Sequence, residues 1–103
     1  GGVLEIQSTP TEFALLQNFP NPFNPETTIQ YNLAESADVT LHIYNVVGQV
    51  VRTLVSERQS AGRYRVQWSG MDDRSVPVSS GIYFYEIRAG KNNKQVLKLM
   101  LLK

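Results

Sequence analysis

Cysteine is absent from the 103 residues, and histidine occurs once. Without thiols there is neither a disulfide framework nor a thiolate zinc site, and cysteine usage carries no information about redox compartment. Charge of one sign is missing too. Ten lysines and arginines against nine aspartates and glutamates leave a net charge of +1, so no sustained field draws the chain toward nucleic acid or an anionic membrane. No apolar run approaches the roughly 20 residues that span a bilayer. The opening GGVLEIQSTP lacks the basic-then-apolar order of a secretory signal, so any export signal is expected upstream of residue 1. The sequence also has no G-x-S-x-G elbow, no glycine-rich phosphate loop and no H-E-x-x-H pair. Acyl transfer, nucleotide binding and zinc hydrolysis therefore lack their usual parts, and neither a catalytic residue nor a cofactor is expected.

What is present is period two. In TTIQYNL, Ile29, Tyr31 and Leu33 share one face and Thr28, Gln30 and Asn32 the other, the pattern of a half-buried strand. DVTLHIY repeats it with Val39, Leu41 and Ile43, and RYRVQW with Tyr64, Val66 and Trp68. QVVRTLV is rich in β-formers without a clear facing. LAESAD, NVVG, SERQSAG, SGMDDRSVPVSSG and AGKNN punctuate these runs as turns, and no segment sustains a helical stripe. This spacing predicts an all-β antiparallel sandwich of about seven strands. A chain of 103 residues supports one such core. Residues 1–11 read as a linker and 12–103 as the domain.

The stretch FPNPFNPETTIQYNL enters the first long strand through three prolines. Each proline removes an N–H and pushes the preceding residue out of the α region, so this ribbon runs extended but cannot be a central strand. It is expected to cover an edge or open end, with Phe19 and Phe23 as plugs.

At the other end, GIYFYEIR and KQVLKLMLL should form a hairpin. Tyr83, Tyr85 and Ile87 face inward with Leu97, Leu99 and Leu101. Two inward odd-numbered sets can oppose each other only across a loop of odd length around Gly90–Asn92, with Gly90 free to take positive φ. That register sets Glu86 diagonally near Lys94 or Lys98.

Several residues invite a chemical role. His42 lies on the polar side of its strand and reads as a surface histidine. Asp72 and Asp73 read as turn formers, with oxygens offered to a calcium ion as the alternative. Most of the aromatic residues fall on inward faces; Tyr44 and Phe84 point outward and are candidates for sugar stacking. The outward side of the last strand, Val96, Lys98, Met100 and Leu102, is unusually apolar. With Ile82 and Phe84 it forms a candidate partner patch.

The motifs NFPNPFNPETTIQYNL, VTLHIYNVVGQVVRTLV, AGRYRVQWSGMDDRSVPVSSGIYFYEI and KLMLLK, in this order over residues 15–103, resemble the C-terminal sorting domains of proteins exported by the type IX secretion system. The middle motifs are also similar to the immunoglobulin-like domain of the flagellar hook-capping protein. The resemblance implies a non-catalytic immunoglobulin or fibronectin III-like sandwich carried behind an upstream passenger domain. Such a domain is recognised by outer-membrane secretion machinery and leads, via the periplasm, to the cell surface or the medium. Gly48, Gly81, Lys98, Met100, Leu102 and Lys103 would be the sorting positions. Gly48 also reads independently as a turn residue and Gly81 as a bend before a strand. Where related sequences often carry glycine after the aspartates, this chain has Arg74–Ser75. A carbohydrate-binding module and a structural assembly domain are the alternative functions.

Overall fold

In the computed structural model, residues 9–103 are described; most of the expected linker, residues 1–8, lies outside them. The described residues form seven strands: β1 (Ala14–Leu15), β2 (Thr27–Leu33), β3 (Ala37–Tyr44), β4 (Val50–Gln59), β5 (Gly62–Trp68), β6 (Gly81–Ala89) and β7 (Asn93–Leu101). They form two antiparallel sheets, ordered β1-β2-β5 and β4-β3-β6-β7, which face each other as an immunoglobulin-type sandwich. No helix among the described residues is long and apolar enough to cross a membrane.

The alternating residues became the core. Ile29, Tyr31 and Leu33 of one sheet meet Val39, Leu41, Ile43, Tyr85, Ile87 and Leu99 of the other, all buried. The β6–β7 register pairs Ala89 with Asn93 and Tyr85 with Leu97, leaving the three-residue loop Gly90–Asn92, with Gly90 at φ +67°. The loop is thus odd in length, as parity requires. Two turns are shorter than the sequence suggests. Leu33 ends β2 and Ala37 begins β3, while Ser56–Gln59 stay in β4 because they pair with Ala37–Thr40. β4 has no clean alternation because its pairing with β3 slips twice, between Leu41 and His42 and between Ile43 and Tyr44.

The entrance ribbon divides. Phe23 is buried, its ring 5.5 Å from Trp68, which lies 5.5 Å edge-on from Tyr83. This aromatic stack closes one end of the sandwich. Tyr83 supports the same end through its hydroxyl, which donates to the Ser79 carbonyl at 2.6 Å, a corner common in immunoglobulin-like sandwiches. Phe19 is no plug. It is 80% exposed because its backbone pairs with Thr28 at the sheet margin, turning the ring to solvent. The ribbon turns inward at Asn18 instead. The Asn18 N–H donates to the Tyr85 hydroxyl at 2.8 Å and its amide to Thr27 Oγ1 at 2.9 Å, while the Tyr85 hydroxyl donates to the Leu16 carbonyl at 2.7 Å. Buried polar groups need partners, and these satisfy one another.

Candidate functional site

The outer face of β6 and β7 gathers most of the residues singled out from sequence. Cross-strand pairing sets Ile82 beside Met100, Phe84 beside Lys98 and Glu86 beside Val96. On the other flank, Phe84 lies beside Tyr44 and Glu86 beside His42. Ile82, Val96 and Leu102 are exposed at 37%, 45% and 49%, and Phe84 and Met100 are half-buried. The face is an apolar strip broken by Lys98, and it exists because β6 and β7 carry apolar residues on both alternations.

Electrostatics shape its far end. The Glu86 side chain is nearly buried and accepts from Arg88 Nε at 2.8 Å, with Lys94 Nζ at 3.6 Å. The diagonal expected from the register is therefore made with Lys94 rather than Lys98. Arg88 is held above its ordinary pKa by its hydrogen bond to Glu86. The Tyr44 hydroxyl is also raised, first by burial and then by the charge of Glu86. Arg88, Lys94 and Lys98 stand against the one carboxylate of Glu86, so the face is cationic as well as apolar.

The remaining sorting candidates collect at one end of the same sheet. Gly48 lies in the β3–β4 turn at φ +85°, where its N–H donates to the Asn45 carbonyl at 3.0 Å and the Asn45 side chain accepts from Val47 and Gln49. Gly81, at φ +149°, opens β6 opposite Leu101. Leu102 and Lys103 run off β7 at this same end, Lys103 donating its N–H to Ser80 Oγ at 3.0 Å. Lys103 does not join Lys98. It lines a mainly apolar hollow of about 350 Å³ with Pro25, Gly70, Met71 and Leu101 at the mouth of the sandwich.

The free edge of β7 is partly closed by the ribbon, which the sequence reading placed over an edge or open end without choosing between them. Gln17 Nε2 donates to the Lys98 carbonyl at 2.8 Å, Asn21 Oδ1 accepts from the Met100 N–H at 2.9 Å, and Phe23 exchanges backbone bonds with Met100 and Leu102 at 3.0 Å. The one signal for this was the ribbon itself: asparagines interleaved with prolines keep side-chain donors and acceptors where the backbone has lost some. What the C-terminal half of β7 offers a partner is consequently its side-chain face.

The aspartates behave as turn residues. Asp72 Oδ1 accepts from the Arg74 and Val76 N–H groups at 2.9 and 3.0 Å, and Asp73 Oδ1 accepts from the Thr53 N–H at 3.0 Å. Among the described residues no three His, Cys, Asp or Glu side chains converge to hold a metal ion. Ser75 takes φ +62° in this turn, the left-handed conformation glycine would adopt more readily. His42 is half-buried, 5.9 Å edge-on from the Tyr44 ring.

Comparison with known proteins places this geometry. The family model of the FlgD Ig-like domain matches residues 24–93. Among solved structures, the chain is similar to part of dimeric latent PorU from Porphyromonas gingivalis, with a TM-score of 0.67 at 17% identity, covering 97% of this chain and 10% of that one. It is also similar to part of PorZ, an essential bacterial surface component of the type-IX secretion system of the same organism. There the TM-score is 0.59 at 15% identity, covering 84% of this chain and 11% of PorZ. The chain spans about a tenth of the length of either protein, and at these identities the likeness is one of fold. No curated protein matches.

Proposed function

This chain belongs to the FlgD Ig-like domain family, and from that premise we propose that it is a non-catalytic sorting domain that docks to type IX secretion machinery and carries an upstream passenger through the periplasm to the cell surface. The domain proper is residues 12–103, with 1–11 as linker. The observation that carries the reading is the convergence on one sheet of Ile82, Phe84, Val96, Lys98 and Met100 as an apolar and cationic outer face, with Gly48, Gly81, Leu102 and Lys103 at its end. Recognition needs no bond chemistry: a partner surface covers the apolar strip and sets carboxylates against Lys98 and Lys94. The fold shared with part of PorZ, a surface component of that system, supports the reading, as does the resemblance of the KLMLLK ending to sorting signals.

The test fuses residues 12–103 to a reporter in a host that has the type IX machinery. Removing residues 98–103 would also remove buried Leu99 and Leu101, so the informative change is the outward pair Lys98→Glu with Met100→Asp. The wild-type fusion should reach the cell surface or medium. The double variant should stay in the periplasm with its folding intact. A wild-type fusion retained in the periplasm, or a double variant exported normally, removes the proposal. Family membership favours one further reading, an assembly domain in which the same face meets another subunit; self-association of the purified chain that the double variant abolishes would select it.

A further inference from the structure

The outer face of the three-stranded sheet has a different chemistry. Because Leu15, Ile29 and Tyr31 point inward, Leu16, Thr28, Gln30 and, from β5, Arg65 point out. Phe19 stands beside them, the most exposed of the large hydrophobic side chains among the described residues. A groove of about 290 Å³ runs between its ring and Thr28, Gln30 and Arg65.

The ring stands on a fixed backbone. Phe19 and Thr28 exchange both backbone hydrogen bonds, at 3.0 and 2.9 Å, and the adjacent Asn18 is buried and bonded to Tyr85 and Thr27. Burying a phenylalanine is worth about 1.5–3 kcal/mol, and the fold forgoes that at Phe19 while gaining it at Phe23. A rigid, solvent-facing aromatic with few rotatable bonds loses little entropy on binding. The groove lies just below the range of small-molecule sites, about 300–1,000 Å³, and its polar lining is the Thr28 hydroxyl, the amides of Gln17 and Gln30 and the Arg65 guanidinium. That combination suits a ligand with an apolar face and a rim of adjacent hydroxyls. The C–H face of a pyranose would lie on the ring, the Gln30 amide would donate and accept, and Arg65 would direct paired N–H groups at neighbouring hydroxyl oxygens.

We propose that this groove binds a pyranose ring of a glycan. The outward aromatics suggested by sequence, Tyr44 and Phe84, suit this less: they lie side by side and both are half-buried. The site is on the opposite sheet from the proposed sorting face and does not depend on it.

The 103-residue chain is titrated with cellohexaose, mannohexaose, chitohexaose and a galacturonic acid oligomer while its backbone amide signals are followed by NMR. Saturable shifts are expected at Phe19, Thr28, Gln30 and Arg65 with at least one of these probes, and none at Phe84 or Val96. Phe19→Ala should weaken that binding about tenfold or more, while Phe84→Ala leaves it unchanged. The exposure of Phe19 keeps the variant folded, which its amide spectrum verifies directly. The proposal is overturned if no probe gives saturable shifts at the groove, which would leave this face to a protein partner, or if Phe19→Ala binds as tightly as wild type.

Discussion

The two outer edges of the four-stranded sheet, β7 and β4, are closed by different devices. At β7 a proline-rich ribbon lies alongside, contributing Gln17, Asn21 and the Phe23 backbone, and anchors itself by burying Phe23. At β4 a polar turn does the work: the Asp73 N–H donates to the Val51 carbonyl at 3.0 Å, and its carboxylate accepts from the Thr53 N–H. Both block strand-to-strand association. The difference lies in where the anchor sits. The ribbon is held by hydrophobic burial and a buried hydrogen-bond hub, so it is coupled to the core. The turn is held by exposed hydrogen bonds, so it can loosen without the core.

The sharpest break in this comparison is Phe23→Ala, which removes a buried aromatic from the stack with Trp68 and should cost about 3–5 kcal/mol. That is a large share of the stability of a small domain. Chemical unfolding would measure it, and Phe19→Ala in the same assay should stay within about 0.5 kcal/mol of wild type. A cost at Phe19 matching that at Phe23 would mean that the whole ribbon is core.

Alkaline pH comes next. Burial pushes the Tyr85 hydroxyl up to about 12, opposed by the Asn18 N–H that it accepts, and burial likewise pushes Tyr31 up to about 12. An unfolded tyrosine ionises near 10, so between about pH 10 and 12 the unfolded chain binds fewer protons than the folded one. Stability is whole below pH 10 and falls as pH rises through that window. Hydrogen exchange in the window should show the ribbon, which Tyr85 holds at Leu16 and Asn18, opening before the Asp73 turn.

Smaller still is Asp73→Ala, which strips the acceptor from the Thr53 N–H and should cost about 1 kcal/mol; the Arg52 pair, 4.0 Å away at the surface, adds little. Its amide exchange should quicken at Thr53 and leave Met100 and Leu102 unchanged. Ser75→Gly is expected to raise stability by about 0.5–1 kcal/mol, since it releases a left-handed serine but adds unfolded-state freedom. No rise in the unfolding midpoint would mean that the Asp72 hydrogen bonds already offset the cost of that conformation.

Where one side of a strand is buried, its residues disclosed their facing. Ile29, Tyr31 and Leu33 had only one inward arrangement, and parity required an odd hairpin loop, which the register sets at three residues. β4 resisted because two register slips erase its period. β1 is two residues long and has no period to read. The patch on β6 and β7 was legible as an excess of apolar outward residues, but its cationic end depended on the Glu86 side chain being drawn under Arg88 and Lys94. Tyr44 and Phe84, read as outward from sequence, are half-buried, whereas Phe19 is exposed: alternation predicts the facing of a strand residue and is silent about a ribbon residue such as Phe19.

Period-two alternation, proline placement and parity determined by themselves that this chain makes pleated strands, which sides of them meet, and how the last two are joined. These are consequences of backbone geometry within a few residues. Tertiary structure alone decided that Phe23 fills the mouth of the sandwich while Phe19 faces water, that the ribbon closes β7, and that Gly48, Gly81 and Lys103 come to one end of a sheet. The physical reason is distance along the chain: Asn18 meets Tyr85, and Asn21 meets Met100, across 67 and 79 residues, and no local periodicity carries information over that span.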